Sequence, residues 1–281
     1  MLWKISYRTA ILTLRIAIVF ILAASVLAIW ALSNIPSDKE IRGCMTTKLY
    51  HVPLCPSSKD YVHLSQISTY LQKSVVLSED STFWNNQGFD FQEMQNSFKQ
   101  NIEKGKFARG GSTITQQLSK NLFLSKEKTL SRKLLEAIIT IRIDKVLTKK
   151  EILERYLNVV QFGKNIYGVK HAADFYFKKS PEDLDLVESA FLTMLLPNPE
   201  IYSKSFYKKE LTPFAQKRMN EIIEHLYRYN RISEGEYEAA RGELTYFLTG
   251  QEAPTLAPED ELNLDQIHEE DFQEQDDSTD L

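Results

Sequence analysis

Three short stretches carry residue types that suit chemistry on an anionic, hydroxyl-rich ligand. Residues 110–124 read GGSTITQQLSKNLFL, with two glycines, small hydroxyls, paired amides, then Lys120 and Asn121 on an amphipathic run. Backbone N–H groups at a helix N-terminus point at negative charge, and the helix dipole favours it. The plainer reading is a helix entered through Gly110 and Gly111, with Ser112 or Thr113 as N-cap; Thr115, Gln116 and Gln117 exceed what capping needs. Upstream, Glu79 and Asp80 precede the aromatics Phe83 and Trp84, then Gly88 and Asp90. A carboxylate desolvated by aromatic rings moves toward general acid or base duty near neutral pH, whereas an exposed pair would only cap a turn. Downstream, Arg132, Lys133 and Glu136 fall on nearly one helical face. A planar guanidinium fork beside a compact ammonium suits a diphosphate, with Glu136 placed to assist a leaving group or orient a cation. The alternative is an ordinary surface pair between Arg132 and Glu136.

These groups need helices to hold them. Apolar residues at spacings of three and four predict helices over 61–77, 89–104, 114–124, 130–146, 150–159, 166–176, 183–195, 213–229 and 233–241. Strand signals are sparse, so the body is mostly α. In residues 162–178, Gly163 and Gly168 bracket Tyr167, and Ala172 and Ala173 permit close helix packing. His171 reads as a surface or packing residue.

The formal charge of −4 averages two opposite regions. Residues 251–281 hold 12 acidic side chains and no Lys or Arg, which leaves 34 basic against 26 acidic residues elsewhere, a net of about +8. The basic body suits phosphate groups or an anionic surface, and no nucleic-acid signature accompanies it. The organisation expected is a cytoplasmic N-terminus (1–9), a transmembrane anchor (10–32), a linker (33–60), a catalytic domain (61–247) and an acidic tail (248–281) expected to be disordered. The anchor rests on the apolar run 16–32 with Lys4 and Arg8 before it, Arg15 near its start and Trp30 near its end. A cleaved signal peptide is the competing reading. Cys44 and Cys55 lie in the linker-like stretch, and either a disulfide or two free thiols fits the sequence.

Taken together, the motifs resemble the peptidoglycan glycosyltransferases of glycosyltransferase family 51, over roughly residues 75–218. The resemblance rests on EDxxF (Glu79, Asp80, Phe83), GGSTITQQLxKNLFL, RKxxE (Arg132, Lys133, Glu136), KxEILExYLN ending at Asn158, FGxxxYG and AAxxYF. EILERYLNVVQFG and LPNPEIYS look closest to the monofunctional members, and no transpeptidase domain is expected. The resemblance implies a mostly α, lysozyme-like glycosyltransferase domain with an N-terminal transmembrane helix, placed on the periplasmic side of the inner membrane. It implies polymerisation of lipid II, with lipid II and the lipid-linked growing glycan as ligands and other cell-wall synthesis and division proteins as partners. Glu79 matches the family's base and Glu136 its second glutamate. Lys120, Arg132 and Lys133 match positions that hold the diphosphate, and Ser112, Gln117 and Asn121 match the donor-site wall. Asp80, Phe83, Gly110, Gly111, Gly163 and Gly168 match positions that build the motifs. No tightly bound cofactor is implied, although a divalent cation (Mg or Mn) often assists in this family; no metal motif is visible. Two positions depart from the pattern: Asn86 stands where histidine is usual, and Asn165 where a second glycine is frequent. With both glutamates and all three cations present, the enzyme is expected to be active.

Two rival readings are a glycan-cleaving lytic transglycosylase of the same fold, and a non-catalytic scaffold for wall synthesis. The first leaves the cations without a task, since its substrate is neutral. The second would tolerate Glu79→Gln.

Overall fold

The computed structural model describes residues 2–104, 111–127 and 129–248. The chain opens with α1 (Leu2–Ser33) and α2 (Asp38–Arg42), followed by a two-residue antiparallel pair, β1 (Met45–Thr46) with β2 (Pro53–Leu54). Then come α3 (Thr69–Glu79), α4 (Phe91–Lys104), α5 (Ile114–Phe123), α6 (Leu130–Val146) and α7 (Lys149–Val159). A second short antiparallel pair, β3 (Gln161–Gly163) with β4 (Ile166–Tyr167), leads into α8 (Val169–Phe177) and α9 (Leu186–Leu195). Two single turns, α10 (Pro199–Tyr202) and α11 (Lys204–Tyr207), precede the closing pair α12 (Pro213–Arg228) and α13 (Glu234–Leu244). The mostly α expectation stands.

The centre is α9, in which every residue from Leu186 to Leu195 is buried. A helix with so many apolar positions belongs inside a core, and its one carboxylate, Glu188, is paired with Lys179 at 2.8 Å. Helices α3, α12 and α13 pack on it, and a second layer of α5, α6 and α7 packs beside them. Leu71 and Val75, four apart on α3, and Leu118 and Leu122, four apart on α5, are fully buried, as the helical period requires. Self-contained capping boxes start α5 (Thr113 with Gln116), α7 (Thr148 with Glu151) and α9 (Asp185 with Glu188). Each satisfies N-terminal donors that packing alone would leave unpaired.

The transmembrane anchor expected over residues 10–32 is not borne out, and with it falls the single-pass inner-membrane placement. Among the described residues no helix is long and apolar enough to cross a membrane. The stretch expected as a linker carries structure instead. Ile41 of α2 and Leu54 of β2 enter the core, and Cys44 and Cys55 form a disulfide. The acidic tail from residue 249 onward and Gly110 lie outside the described residues.

Candidate functional site

Glu79 ends α3, half-buried, where the chain leaves the core. Its Oε2 accepts a hydrogen bond from Gln117 Nε2 at 2.7 Å. Burial raises its pKa; the Gln117 bond and the charges of Arg218 and Lys120 work the other way, and neighbouring Asp80 adds to the rise. Asp80 has a different task. It is buried, its Oδ2 accepts from the Ile114 backbone N at 3.1 Å, and its Oδ1 accepts from Asn86 Nδ2 at 2.8 Å. Ile114 is the first residue of α5, so Asp80 sits at a positive helix end and fixes the Glu79 turn to it.

Asn86, the departure from histidine, is a hub. Its Oδ1 accepts from Gly88 N at 3.0 Å and from Lys149 Nζ at 2.9 Å, while its Nδ2 serves Asp80. Lys149 also pairs with Asp144 at 2.7 Å and lies 5.0 Å above the buried Phe83 ring. The loop bearing Glu79 is thereby fastened to the α6–α7 corner. Gly88, at φ +87°, turns its carbonyl to accept from Thr113 Oγ1 at 2.7 Å.

Along α5 the hydroxyls and amides divide their labour. Thr113, rather than Ser112, is the N-cap, and Gln116 is spent on the capping box. Ser112 is exposed just before the helix, and Gly111 adopts φ +83°. Gln117 faces Glu79, with its Oε1 accepting from Tyr156 Oη at 2.9 Å. Lys120, one turn on, lies close enough to Glu79 to lower its pKa. Asn121 is buried, and its backbone carbonyl accepts from Leu49 N.

The second acidic residue sits on α6. Glu136 is 3% exposed, and Ser119 Oγ of α5 donates to its backbone carbonyl at 3.2 Å. One carboxylate oxygen takes Arg132 Nη1 at 3.1 Å and the other takes Lys133 Nζ at 2.5 Å. Arg132 Nε is buried without a hydrogen-bond partner among the described residues. An apolar groove of about 660 Å³ between α1 and the start of α6 is lined by Val19, Leu22, Ala23, Val26, Trp30 and Ser131, the last adjoining Arg132.

Helix α5 therefore touches both glutamates, Glu79 through Gln117 and Glu136 through Ser119. Gly163 and Gly168 sit apart from them and build the α7–α8 connection. A Cβ at Gly163 would stand 2.5 Å from Tyr176 Oη, and one at Gly168 2.5 Å from the Asn158 carbonyl oxygen. Asn165 adopts φ +59°, which asparagine tolerates. His171 is exposed, with Nδ1 3.1 Å from the Tyr167 carbonyl oxygen. Among the described residues no group of three or more His, Cys, Asp or Glu could hold a metal ion. The sequence assigned no role to Arg218, and Lys149 and Tyr156 stood in it only as fixed positions of KxEILExYLN. Tyr156 carried a further signal, an apolar-face residue with a polar tip that burial obliges to find a partner.

A family profile described as "Transglycosylase" matches residues 47–227, the span that holds both glutamates and their partners. The chain belongs to this family. A biosynthetic peptidoglycan transglycosylase of Aromatoleum aromaticum is 46% identical over 147 residues, covering 52% of this chain and 64% of that protein. One from Methylobacillus flagellatus is 34% identical over 203 residues, covering 72% of this chain and 86% of that protein. The chain thus spans just under two thirds of the first relative's length and most of the second's. A solved penicillin-binding protein 1A from Haemophilus influenzae matches 50% of this chain and 17% of that chain at 26% identity, with a TM-score of 0.31, too low to bear on the fold. The expectation of a peptidoglycan glycosyltransferase is borne out at the level of family and reaction class. Transglycosylase motifs account for most of the polar residues around α5 and α6.

Proposed function

We propose that this transglycosylase polymerises lipid II into glycan strands, with Glu79 as the base for the acceptor 4-hydroxyl and the α6 cations as the cradle for the departing diphosphate. A sugar hydroxyl is a poor nucleophile until a base takes its proton, and a base is most useful when its pKa approaches the working pH. The observation that carries the reading is the Glu79 environment: a half-buried carboxylate, raised by burial, held by one amide and faced by Lys120 and Arg218. As the bond from sugar to phosphate breaks, negative charge grows on the leaving oxygens, and fixed cations stabilise it. Arg132 and Lys133 are held side by side by Glu136, and Arg132 Nε, which has no partner among the described residues, offers a donor that a phosphate oxygen would satisfy. Glu136 is read as the residue that aligns these two cations. The groove beside Ser131 gives an isoprenoid chain an apolar wall next to the charged cluster. Attack on the face opposite the diphosphate turns an α-linked donor into a β-linked product.

The test is lipid II polymerisation by wild type, Glu79→Gln and Glu136→Gln side by side. Wild type should give glycan polymer, Glu79→Gln essentially none, and Glu136→Gln a strongly reduced yield. Full activity in Glu79→Gln would overturn the assignment of the base. Solubilisation of mature cell wall, with no polymer from lipid II, would move the chain to the glycan-cleaving class.

A further inference from the structure

We propose that Tyr156 is a positioning residue for Glu79, acting through the side-chain amide of Gln117; this rests on the reading of Glu79 as the base. The three side chains come from three helices. Tyr156 on α7 is fully buried and its Oη donates to Gln117 Oε1 at 2.9 Å; Gln117 on α5 then donates from Nε2 to Glu79 Oε2 at 2.7 Å at the end of α3.

An amide can face its neighbours in either of two ways, and its partners decide which. An ionised carboxylate only accepts, so it demands the Nε2 end. A protonated carboxyl carries a donor and would be served equally well by Oε1. The Tyr156 hydroxyl breaks that tie. Flipping the amide would turn Nε2 toward Tyr156 and take from its fully buried hydroxyl the acceptor it uses. A buried donor left unpaired is strongly disfavoured. Tyr156 therefore locks the amide in the orientation that serves Glu79 as a carboxylate, the form a base must have.

Tyr156 adds no charge of its own. Burial pushes its phenol well above the ordinary range, so it stays neutral wherever the enzyme works. The charges facing Glu79 are Arg218 from α12, Lys120 from α5 and Asp80 beside it, and Tyr156→Phe leaves all three in place. Removing one oxygen atom thus tests the lock alone.

The experiment uses the full chain and lipid II, with rates followed across about pH 5–9. Tyr156→Phe should keep KM within about twofold and lower kcat roughly three- to tenfold at neutral pH. It should move the acidic limb of the kcat profile upward by about one pH unit. Gln117→Leu should shift that limb the same way, and the double variant should add no further shift. A Tyr156→Phe profile superimposable on wild type overturns the proposal, as does an equal loss at every pH or an additive double variant. If circular dichroism shows Tyr156→Phe unfolded, Gln117→Leu carries the test, and an unshifted limb there overturns it. If wild type makes no polymer, the functional reading fails instead. The lock is then read by carbon-13 titration of the Glu79 carboxyl, where equal midpoints in wild type and Tyr156→Phe overturn it.

Discussion

Arg132 and Glu136, one turn apart on α6, meet at 3.1 Å with the carboxylate side chain only 4% exposed. On a solvated helix such a pair contributes a few tenths of a kcal/mol. Here the carboxylate is buried and Lys133 takes its second oxygen, so removing its charge leaves a mostly buried guanidinium without its counter-ion. Glu136→Gln is expected to destabilise the fold by about 1–3 kcal/mol, below the range for a fully buried pair because Lys133 is half-exposed. It is also expected to lower polymerisation roughly 10²-fold by letting the two cations drift from the diphosphate. Denaturant melts and a lipid II assay check both; unchanged stability would mean that Arg132 finds another partner.

Glu79 sets stability against activity. Its folded pKa is raised above the ordinary 4.5 by burial. A carboxyl raised on folding contributes stability that is fully present below the unfolded value and lost as pH rises through the folded one. Above the unfolded value Glu79 therefore opposes folding, and Glu79→Gln should raise Tm at neutral pH while changing it little near pH 4. The same variant should lose about 10²- to 10⁴-fold in polymerisation. A Tm that falls at neutral pH would mean that the Arg218 and Lys120 charges outweigh burial.

The helices that carry these groups were legible because each buries a face with the right period. The predicted 114–124 and 130–146 match α5 and α6 closely. The start of the 61–77 helix was not legible: the chain makes a short 3₁₀ turn over Leu64–Gln66 and enters α3 only at Thr69. Two-residue strands such as β1 and β4 are too short to show alternation. Gly88 and Asn86 could be seen as turn residues. That Asn86 reaches Lys149, 63 residues away, could not, because side-chain partnerships across helices leave no periodic trace. Arg218 was invisible for the same reason, reaching Glu79 only through the packing of α12 on α3.

Asn86 uses both ends of its amide, giving to Asp80 and taking from Lys149 and Gly88. Asn86→Asp keeps the accepting end and turns the donating end into a second carboxylate 2.8 Å from the first. Like charges this close cannot both ionise without penalty. The variant should therefore be less stable than wild type by about 1–3 kcal/mol at pH 7–8, with a smaller deficit near pH 5, where the pair shares a proton. Thermal melts at the two pH values decide it, and an equal deficit at both would remove Asp80 from the explanation.

Two glycines should respond in opposite directions to the same change. Gly168 holds φ +77°, and a Cβ there would stand 2.5 Å from the Asn158 backbone oxygen, which cannot move without displacing α7. Gly168→Ala is expected to cost about 2–4 kcal/mol or more. Gly242 lies within α13 with nothing within 4 Å of an added Cβ. Gly242→Ala should stabilise by about 0.5–1 kcal/mol through helix propensity. Chemical denaturation of the pair gives the comparison, and a tolerated alanine at 168 would show that the α7–α8 connection is looser than drawn.

The α12–α13 hairpin is latched to α3 by a carboxylate that acid should release. Glu236 accepts from Tyr70 Oη at 2.6 Å and from the Ser233 backbone and hydroxyl, and these bonds pull its pKa from 4.5 down to about 2. A depressed carboxyl contributes stability that is present above the unfolded pKa and lost as pH falls through the folded one. The loss should therefore fall between pH 4.5 and about 2. Glu236→Gln retains a capping-box residue, because Gln serves at that position, but removes the titration. Its melting temperature should fall less steeply than wild type across that window, and amide exchange in α13 should quicken in wild type alone as acid is added. Parallel acid profiles for the two proteins would place the acid sensitivity of this region elsewhere than the Tyr70 latch.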